Sequence, residues 1–349
     1  MNFTEYKIAF SAKAKEQAMP IDKIEALLKY AEGIHSKGLP IIYDQLHFSN
    51  LVGYDYRFIL SICNSTGSHY KEYKIPKRNG KLRTINEPLP SLKEIQDWVL
   101  KYILNPAQKK FVSSVAKAYI PKVSIRDNAR FHKGQKKILN IDLVDFFGSI
   151  GYEQVYATFR NLGYNKSICT LITNLCVLNG SLPQGSPTSP MLSNLIFNYY
   201  DEKIFQFCKD RSIRYTRYAD DLTFSGDFEI KEMMSFVYKV LHGTRFKINE
   251  SKTKVLSQAK RQEVTGIVVN EKIQLPRHYR KEIRKEVYFI IKFGLEKHLI
   301  NIKWDKTHIQ YLYHLIGKVN YVLMINKNDK EAQKQYIYIK DLLNTVIKL

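Results

Sequence analysis

Three carboxylates stand out by their settings. Ile141-Asp142-Leu143 places one acid inside an apolar, strand-like run, and Tyr218-Ala219-Asp220-Asp221 places two more at the tip of an alternating hairpin pattern 78 residues later. Brought together by neighbouring strands, they would form an oxygen cage for two divalent cations. Mg²⁺ is a hard ion that takes oxygen ligands and keeps several waters, so a few carboxylates plus substrate phosphates suffice to hold it. Two such ions about 3.5–4 Å apart activate an attacking hydroxyl and stabilise the leaving oxygen in an in-line phosphoryl displacement. Three crowded carboxylates repel one another, and bound cations relieve that repulsion. An Asp-Asp pair by itself more often marks a solvated turn. The alternation of Tyr215, Arg217, Leu222 and Phe224 around this one, and the apolar run around Asp142, set it apart.

The elements that must carry these residues are legible in outline. Residues 20–48 begin at Pro20 and read as helix, with Ile24, Leu27, Leu28 and Ala31 at helical spacing up to Gly33. Residues 68–87 alternate on both sides of Asn79-Gly80, a two-residue turn signal, and predict a hairpin. Ser91 is placed to cap the helix SLKEIQDWVLKYIL, which Pro106 would close. KKILNIDLVDFF (136–147) predicts a buried strand, and residues 151–178 one or two helices broken near Gly163. LPQGSPTSP (182–190) is a turn-rich loop entering an apolar helix, RYTRYADDLTFSG (214–226) is the hairpin with the paired acids, and KEMMSFVYKVLHG (231–243) is helical. Short strands and turns follow, and after Pro276 the chain reads as helices.

Composition limits the function classes. With 349 residues, 44% of them hydrophobic, the chain can bury a sizeable core, which excludes global disorder. No stretch approaches the roughly 18 apolar residues of a membrane span, and the N-terminus lacks the apolar segment of a signal peptide. Cys63, Cys169, Cys176 and Cys208 form no Cys-x-x-Cys pair and read as buried free thiols in a reducing cytoplasm. The formal net charge of +22 points to a polyanion, nucleic acid first. Its distribution says more: residues 1–70 are neutral overall, 71–137 carry +12, 138–270 carry +2 and 271–349 carry +8. Two basic blocks around a nearly neutral middle suit a groove whose two walls neutralise phosphates.

Several segments together resemble reverse transcriptases. Tyr218-Ala219-Asp220-Asp221 resembles their signature, Asn140-Ile141-Asp142-Leu143-Val144-Asp145-Phe146-Phe147 their first palm motif, and Leu182 to Pro190 with Asn194 the loop that closes over template and nucleotide. Asn128-Ala129-Arg130-Phe131-His132 and Val264-Thr265-Gly266 resemble the Asn-Ala-x-x-His and Val-Thr-Gly signatures of bacterial retron enzymes. The resemblance implies an α+β right-hand polymerase. Residues 1–70 would be an N-terminal helical extension on the fingers, 71–137 fingers with a basic hairpin, 138–270 the palm, and 271–349 a helical, RNA-binding thumb.

The resemblance also implies roles. Asp142, Asp220 and Asp221 would be the metal ligands, for two Mg²⁺ ions with Mn²⁺ an alternative in vitro; Asp145 falls outside this triad. Lys252 would protonate the pyrophosphate leaving group. Phe147 would be a steric gate favouring dNTPs, with Gln184 and Gly185 beside the nucleotide. Lys77, Arg78, Lys81 and Arg83 bracket the Asn79-Gly80 turn as a triphosphate clamp, Arg83 foremost because its guanidinium forks onto phosphate oxygens. RNA contacts would come from Asn128 and His132, the latter with a structural alternative, and from Arg277, Arg280, Lys281, Arg284 and Lys285.

The implied activity is RNA-directed DNA polymerisation: part of a structured noncoding RNA would be copied into msDNA, primed from a guanosine 2′-OH of that RNA. A host RNase H would process the template, and a separate effector would act with the enzyme in defence against phage. Two alternatives remain open at this point. One is another compact bacterial reverse transcriptase, group II-like or diversity-generating. The other is a non-catalytic RNA-binding module on a polymerase scaffold.

Overall fold

The apolar run of residues 138–143 becomes the strand around which the middle of the molecule is organised. The computed structural model describes residues 2–76, 80 and 82–348; Lys77, Arg78, Asn79 and Lys81, expected in the clamp and its turn, lie outside the described residues. Four helices come first: α1 (Phe3–Glu16), α2 (Ile21–His35), α3 (Gln45–Val52) and α4 (Tyr56–Asn64). A hairpin follows, β1 (Tyr70–Pro76) and β2 (Leu82–Pro88), then helices α5 (Pro90–Val99), α6 (Asn105–Phe111) and α7 (Ile125–Phe131). The middle runs β3 (Lys137–Val144), α8 (Tyr152–Leu162), α9 (Lys166–Cys176), α10 (Ser189–Lys209), β4 (Arg214–Tyr218), β5 (Asp221–Gly226), α11 (Ile230–Leu241) and β6 (Lys247–Ser257). Two short strands, β7 (Glu263–Val264) and β8 (Ile267–Val268), lead into α12 (Arg277–Phe293), α13 (Leu295–Asn301), α14 (His308–Ile325) and α15 (Lys330–Lys348).

Strands β4, β5, β3 and β6 form one antiparallel sheet in that spatial order. Ile138, Leu139, Ile141 and Leu143 of β3 are all buried, which explains why this strand reads as a continuous apolar run rather than a half-polar alternation. The hairpin β1–β2 is a separate two-stranded sheet, paired from Tyr70 with Pro88 to Pro76 with Leu82.

Two large cores hold most of the chain, and a small cluster of Ala14, Ile24 and Leu28 packs α1 against α2. The larger unites α2 to α4, α5, α8 to α11 and the sheet, from Ile34 to Phe246. The second gathers α12, α14 and α15 around Ile283, Leu315 and Ile339, and reaches back to Ala129, Ile138, Val264 and Ile267. Ile42, Phe48, Ile59 and Ile62 share a core with the sheet, and the second core takes in Ala129 and Ile138 as well as Val264 and Ile267.

Three local expectations change. Ser91 is not a cap: α5 starts one residue earlier with Pro90 in its first turn, where the missing N–H of proline leaves no bond unmade. Nor does Pro106 end the helical path. A π-turn over Leu100–Leu104, in which the Asn105 N–H donates to the Leu100 carbonyl, widens the helix just before the proline, and α6 continues through it. Similarly, α2 runs past Gly33 to His35.

Candidate active site

The sheet register brings the acids together. Asp142, near the end of β3, is directly opposite Asp221, the first residue of β5. Asp220 occupies the two-residue turn between β4 and β5, and its carbonyl accepts the Leu143 N–H at 3.0 Å, so the turn is stitched to β3. Ala219 in that turn has φ +59°, a left-handed conformation that costs a residue with a Cβ roughly 1–2 kcal/mol. Such strain persists only where the surroundings over-determine it.

The surroundings do so from below. Arg217, fully buried, donates from Nη1 to the Ala219 carbonyl at 3.1 Å and to Asn194 Oδ1 at 3.1 Å. Its Nε and Nη2 grip Asp201 of α10, the latter at 2.7 Å, and Asp201 also accepts from the Tyr215 hydroxyl at 2.8 Å. The guanidinium lies 4.8 Å from the centre of the Phe197 ring and 5.8 Å from that of Phe146. Sequence reasoning missed this support. An acid within an amphipathic helix reads as solvated surface, and only the fold shows that Asp201 faces an arginine.

Charge crowding is visible at the acids. Desolvation, then Asp220 and Asp142, push the Asp221 carboxyl up to about 6, and desolvation with the Asp142 charge raises Asp220 as well. Lys252 of β6 places its ammonium 2.9 Å from both oxygens of Asp142, and Asn249, opposite Asp142 on β6, donates to one of them at 3.1 Å. Among the described residues no three His, Cys, Asp or Glu side chains are already arranged to hold a metal ion. The donor chemistry nevertheless fits a hard divalent cation: three crowded carboxylates offer oxygen only, and one has drawn a side-chain cation onto itself.

Above the acids lies a cavity of about 600 Å³ lined by Arg83, Tyr119, Phe147, Gln184, Asp142, Asp220 and Lys252, among others. A smaller one of about 320 Å³ shares Arg83, Asp145 and Gln184 with it. Tyr119, whose ring centre is 6.3 Å from that of Phe147, had no signal in the sequence. Gly185 has a clear structural reason. Its φ is +128°, a Cβ there would lie 2.5 Å from the Asn86 carbonyl oxygen, and the Asn86 N–H bonds the Gln184 carbonyl at 2.7 Å. The close approach is thus to β2 of the hairpin. Gly185→Ala forces backbone against backbone at a strained φ, and should destabilise the chain by roughly 1–3 kcal/mol. Thermal unfolding would register this as a drop of several degrees; an unchanged midpoint would mean that the loop and β2 are not in this contact.

The residues expected to meet RNA divide sharply. Asn128 and His132 are fully buried, so the expectation that their side chains touch RNA is corrected: they bond Thr216, Ser225 and Thr265. On α12, Arg277, Lys281 and Lys285 are exposed. Arg284 is also exposed but is held by Glu331, with Nη2 at 2.6 Å, and Arg280 lies 3.6 Å from Asp329. The four cysteines are free; burial pushes Cys63, Cys176 and Cys208 up to about 12. Among the described residues no helix is long and apolar enough to cross a membrane.

Comparison with known proteins gives the family. Residues 75–269 match the family described as reverse transcriptase (RNA-dependent DNA polymerase). The chain is 33% identical over 262 residues to the Retron Ec86 reverse transcriptase of Escherichia coli, covering 74% of this chain and 81% of that one. It is 32% identical over 279 residues to the Retron Ec83 enzyme of the same species, covering 74% and 85%. Among solved structures it is similar to telomerase from Candida albicans, with a TM-score of 0.44 and 13% identity over 78% of this chain and 63% of that one. The chain belongs to the reverse transcriptase family and, within it, to the bacterial retron enzymes, RNA-directed DNA polymerases.

Proposed function

We propose that the chain copies part of a structured noncoding RNA into the single-stranded msDNA of a retron, using two divalent ions held by Asp142, Asp220 and Asp221. The observation that carries this reading is the pairing of Asp142 with Asp221 across two strands, beside Asp220, under a cavity walled by Arg83, Gln184 and Phe147. Mg²⁺, or Mn²⁺ in vitro, would supply a lowered pKa for the primer hydroxyl and neutralise charge building on the phosphates. The chain's own residues do the rest. Arg83 forks onto the triphosphate, and Phe147 stacks under the sugar and excludes a ribose 2′-OH. Lys252 gives up Asp142 when substrate is loaded and delivers a proton to the departing pyrophosphate. The exposed Arg277, Lys281 and Lys285 of α12 run along the RNA backbone.

Priming from a guanosine 2′-OH, template removal by a host RNase H, a separate effector, defence against phage and a cytoplasmic setting are part of the same reading, supported by the likeness to retron enzymes. In it residues 1–70 extend the fingers, 71–137 are fingers, 138–270 palm and 271–349 thumb. The test is primer extension on poly(rA)/oligo(dT) with Mg²⁺ and dTTP. Extension that EDTA abolishes, with RNA affinity falling steeply as salt rises, is the expected result. RNA binding without any extension would replace the polymerase with a binding module.

A further inference from the structure

A stripe of polar side chains starts at the carboxylates and runs along one face of the sheet. Cross-strand partners on that face are Asp142 with Asp221, Asn140 with Thr223 and Ile138 with Ser225, and Thr223 in turn pairs with Thr216 of β4. Thr223 donates to Asn140 Oδ1 at 3.1 Å, and Asn140 Nδ2 donates to the Glu263 carbonyl at 2.9 Å. Next along, Thr216 Oγ1 donates to Asn128 Oδ1 at 2.6 Å and lies 2.7 Å from His132 Nε2. His132 Nδ1 lies 2.7 Å from Ser225 Oγ, and Asn128 Nδ2 reaches Thr265 Oγ1 at 3.4 Å.

A neutral ring satisfies this set. The Thr216 proton is committed to Asn128, so Thr216 accepts from His132 Nε2–H, and the remaining ring nitrogen accepts the Ser225 proton. Burial favours the same neutral ring, pushing the His132 pKa down to about 3. Asn128, His132, Thr216, Thr223 and Ser225 are each no more than 2% exposed, so water cannot substitute for a lost partner.

The network also joins two bodies. Asn128 and His132 come from α7 and the residue that ends it, and the neighbouring Ala129 packs in the second core with Val264 and Ile267. Thr216 and Ser225 belong to the hairpin that presents Asp220 and Asp221. On its other face the hairpin is held by α10 through Tyr215, Arg217 and Asp201. Strand β4 pairs with β5 along one edge; on its outer edge the Arg217 N–H donates to the Val115 carbonyl at 2.9 Å and the Arg217 carbonyl accepts the Lys117 N–H at 2.8 Å.

We infer that Asn128, His132 and Thr216 are positioning residues, which lock the hairpin carrying Asp220 and Asp221 to the C-terminal body. This rests on the reading of those carboxylates as the catalytic ones. The Asn-Ala-x-x-His and Val-Thr-Gly segments then act as one internal joint that keeps the turn in register with Asp142 while the C-terminal helices hold RNA.

The test is Thr216→Val, which keeps the shape but deletes the hydroxyl, assayed on poly(rA)/oligo(dT) with Mg²⁺. Displacing a reacting group slightly costs between about tenfold and a hundredfold in rate. The expected result is such a loss in kcat, with KM for dTTP and RNA affinity each within about twofold, and recovery in Thr216→Ser. Thr173→Val removes an equally buried hydroxyl from α9, away from the stripe, and should leave kcat unchanged. An unchanged kcat in Thr216→Val, whatever happens to its melting temperature, overturns the inference by reducing the network to packing. Lost RNA affinity with kcat intact overturns it in favour of an RNA-facing role. Should Thr216→Val fail to fold, Ser225→Ala removes only the outer bond and is read by the same division between kcat and KM. A wild-type chain inactive on this template overturns the catalytic reading itself, an outcome distinct from an active wild type with an indifferent variant.

Discussion

Asp220→Asn should abolish dNTP incorporation on a primed RNA template while leaving RNA binding intact. Asn has the shape of Asp but not its charge, and a carboxylate ligand to a catalytic ion contributes several kcal/mol of transition-state stabilisation, a loss of roughly a thousandfold or more. The fold should not suffer. The contact that stitches the turn to β3 uses the Asp220 backbone carbonyl, which the substitution keeps. The lost charge is one that raises the Asp221 carboxyl toward 6, so its removal relieves repulsion. A melting temperature equal to or above that of the wild type, together with lost activity, is the signature of a group retained for chemistry at some expense of stability. Full activity would sink the metal-ligand assignment, and a large fall in melting temperature would recast Asp220 as a structural residue.

Much of this site could be read in the sequence because its parts are local. Asp142 is embedded in an apolar strand, Asp220 and Asp221 follow an alternating one, and the two-residue turn is defined by the hairpin pattern around it. What remained illegible depends on partners far away in the chain. The π-turn that carries the helix past Pro106 leaves no mark in composition, so the proline alone reads as a stop. The Asn-Ala-x-x-His segment was recognisable, but the direction its side chains face was not. The resemblance implied RNA contact, with a structural role open for His132, and only the packing of α7 against β4 turns Asn128 and His132 inward onto Thr216. Gly185 was expected beside the nucleotide; the neighbour that forbids a Cβ is Asn86.

The second large effect separates two ion pairs of the same length. Arg217 Nη2 to Asp201 Oδ2 and Lys136 Nζ to Asp227 Oδ2 are both 2.7 Å, but the first pair is 0% exposed on both sides and the second is 70% and 61% exposed. Asp201→Asn leaves a guanidinium uncompensated in the core, where water cannot reach it. Breaking a buried pair from one side costs about 3–5 kcal/mol, so unfolding by heat or denaturant should shift markedly. Asp227→Asn breaks a solvated contact, and its unfolding should be indistinguishable from wild type. Activity should follow the same division, because Arg217 also holds the Ala219 carbonyl and Asn194, and with them the strained turn. Replacing both partners, Arg217→Met with Asp201→Leu, tests whether stability and positioning are separable. Apolar side chains can restore much of the stability that the single substitution loses. Nothing in that pair can donate to the Ala219 carbonyl, so dNTP incorporation should stay low in the refolded double variant. Recovery of activity along with stability would show that the turn holds its own shape and that the buried pair serves the core alone.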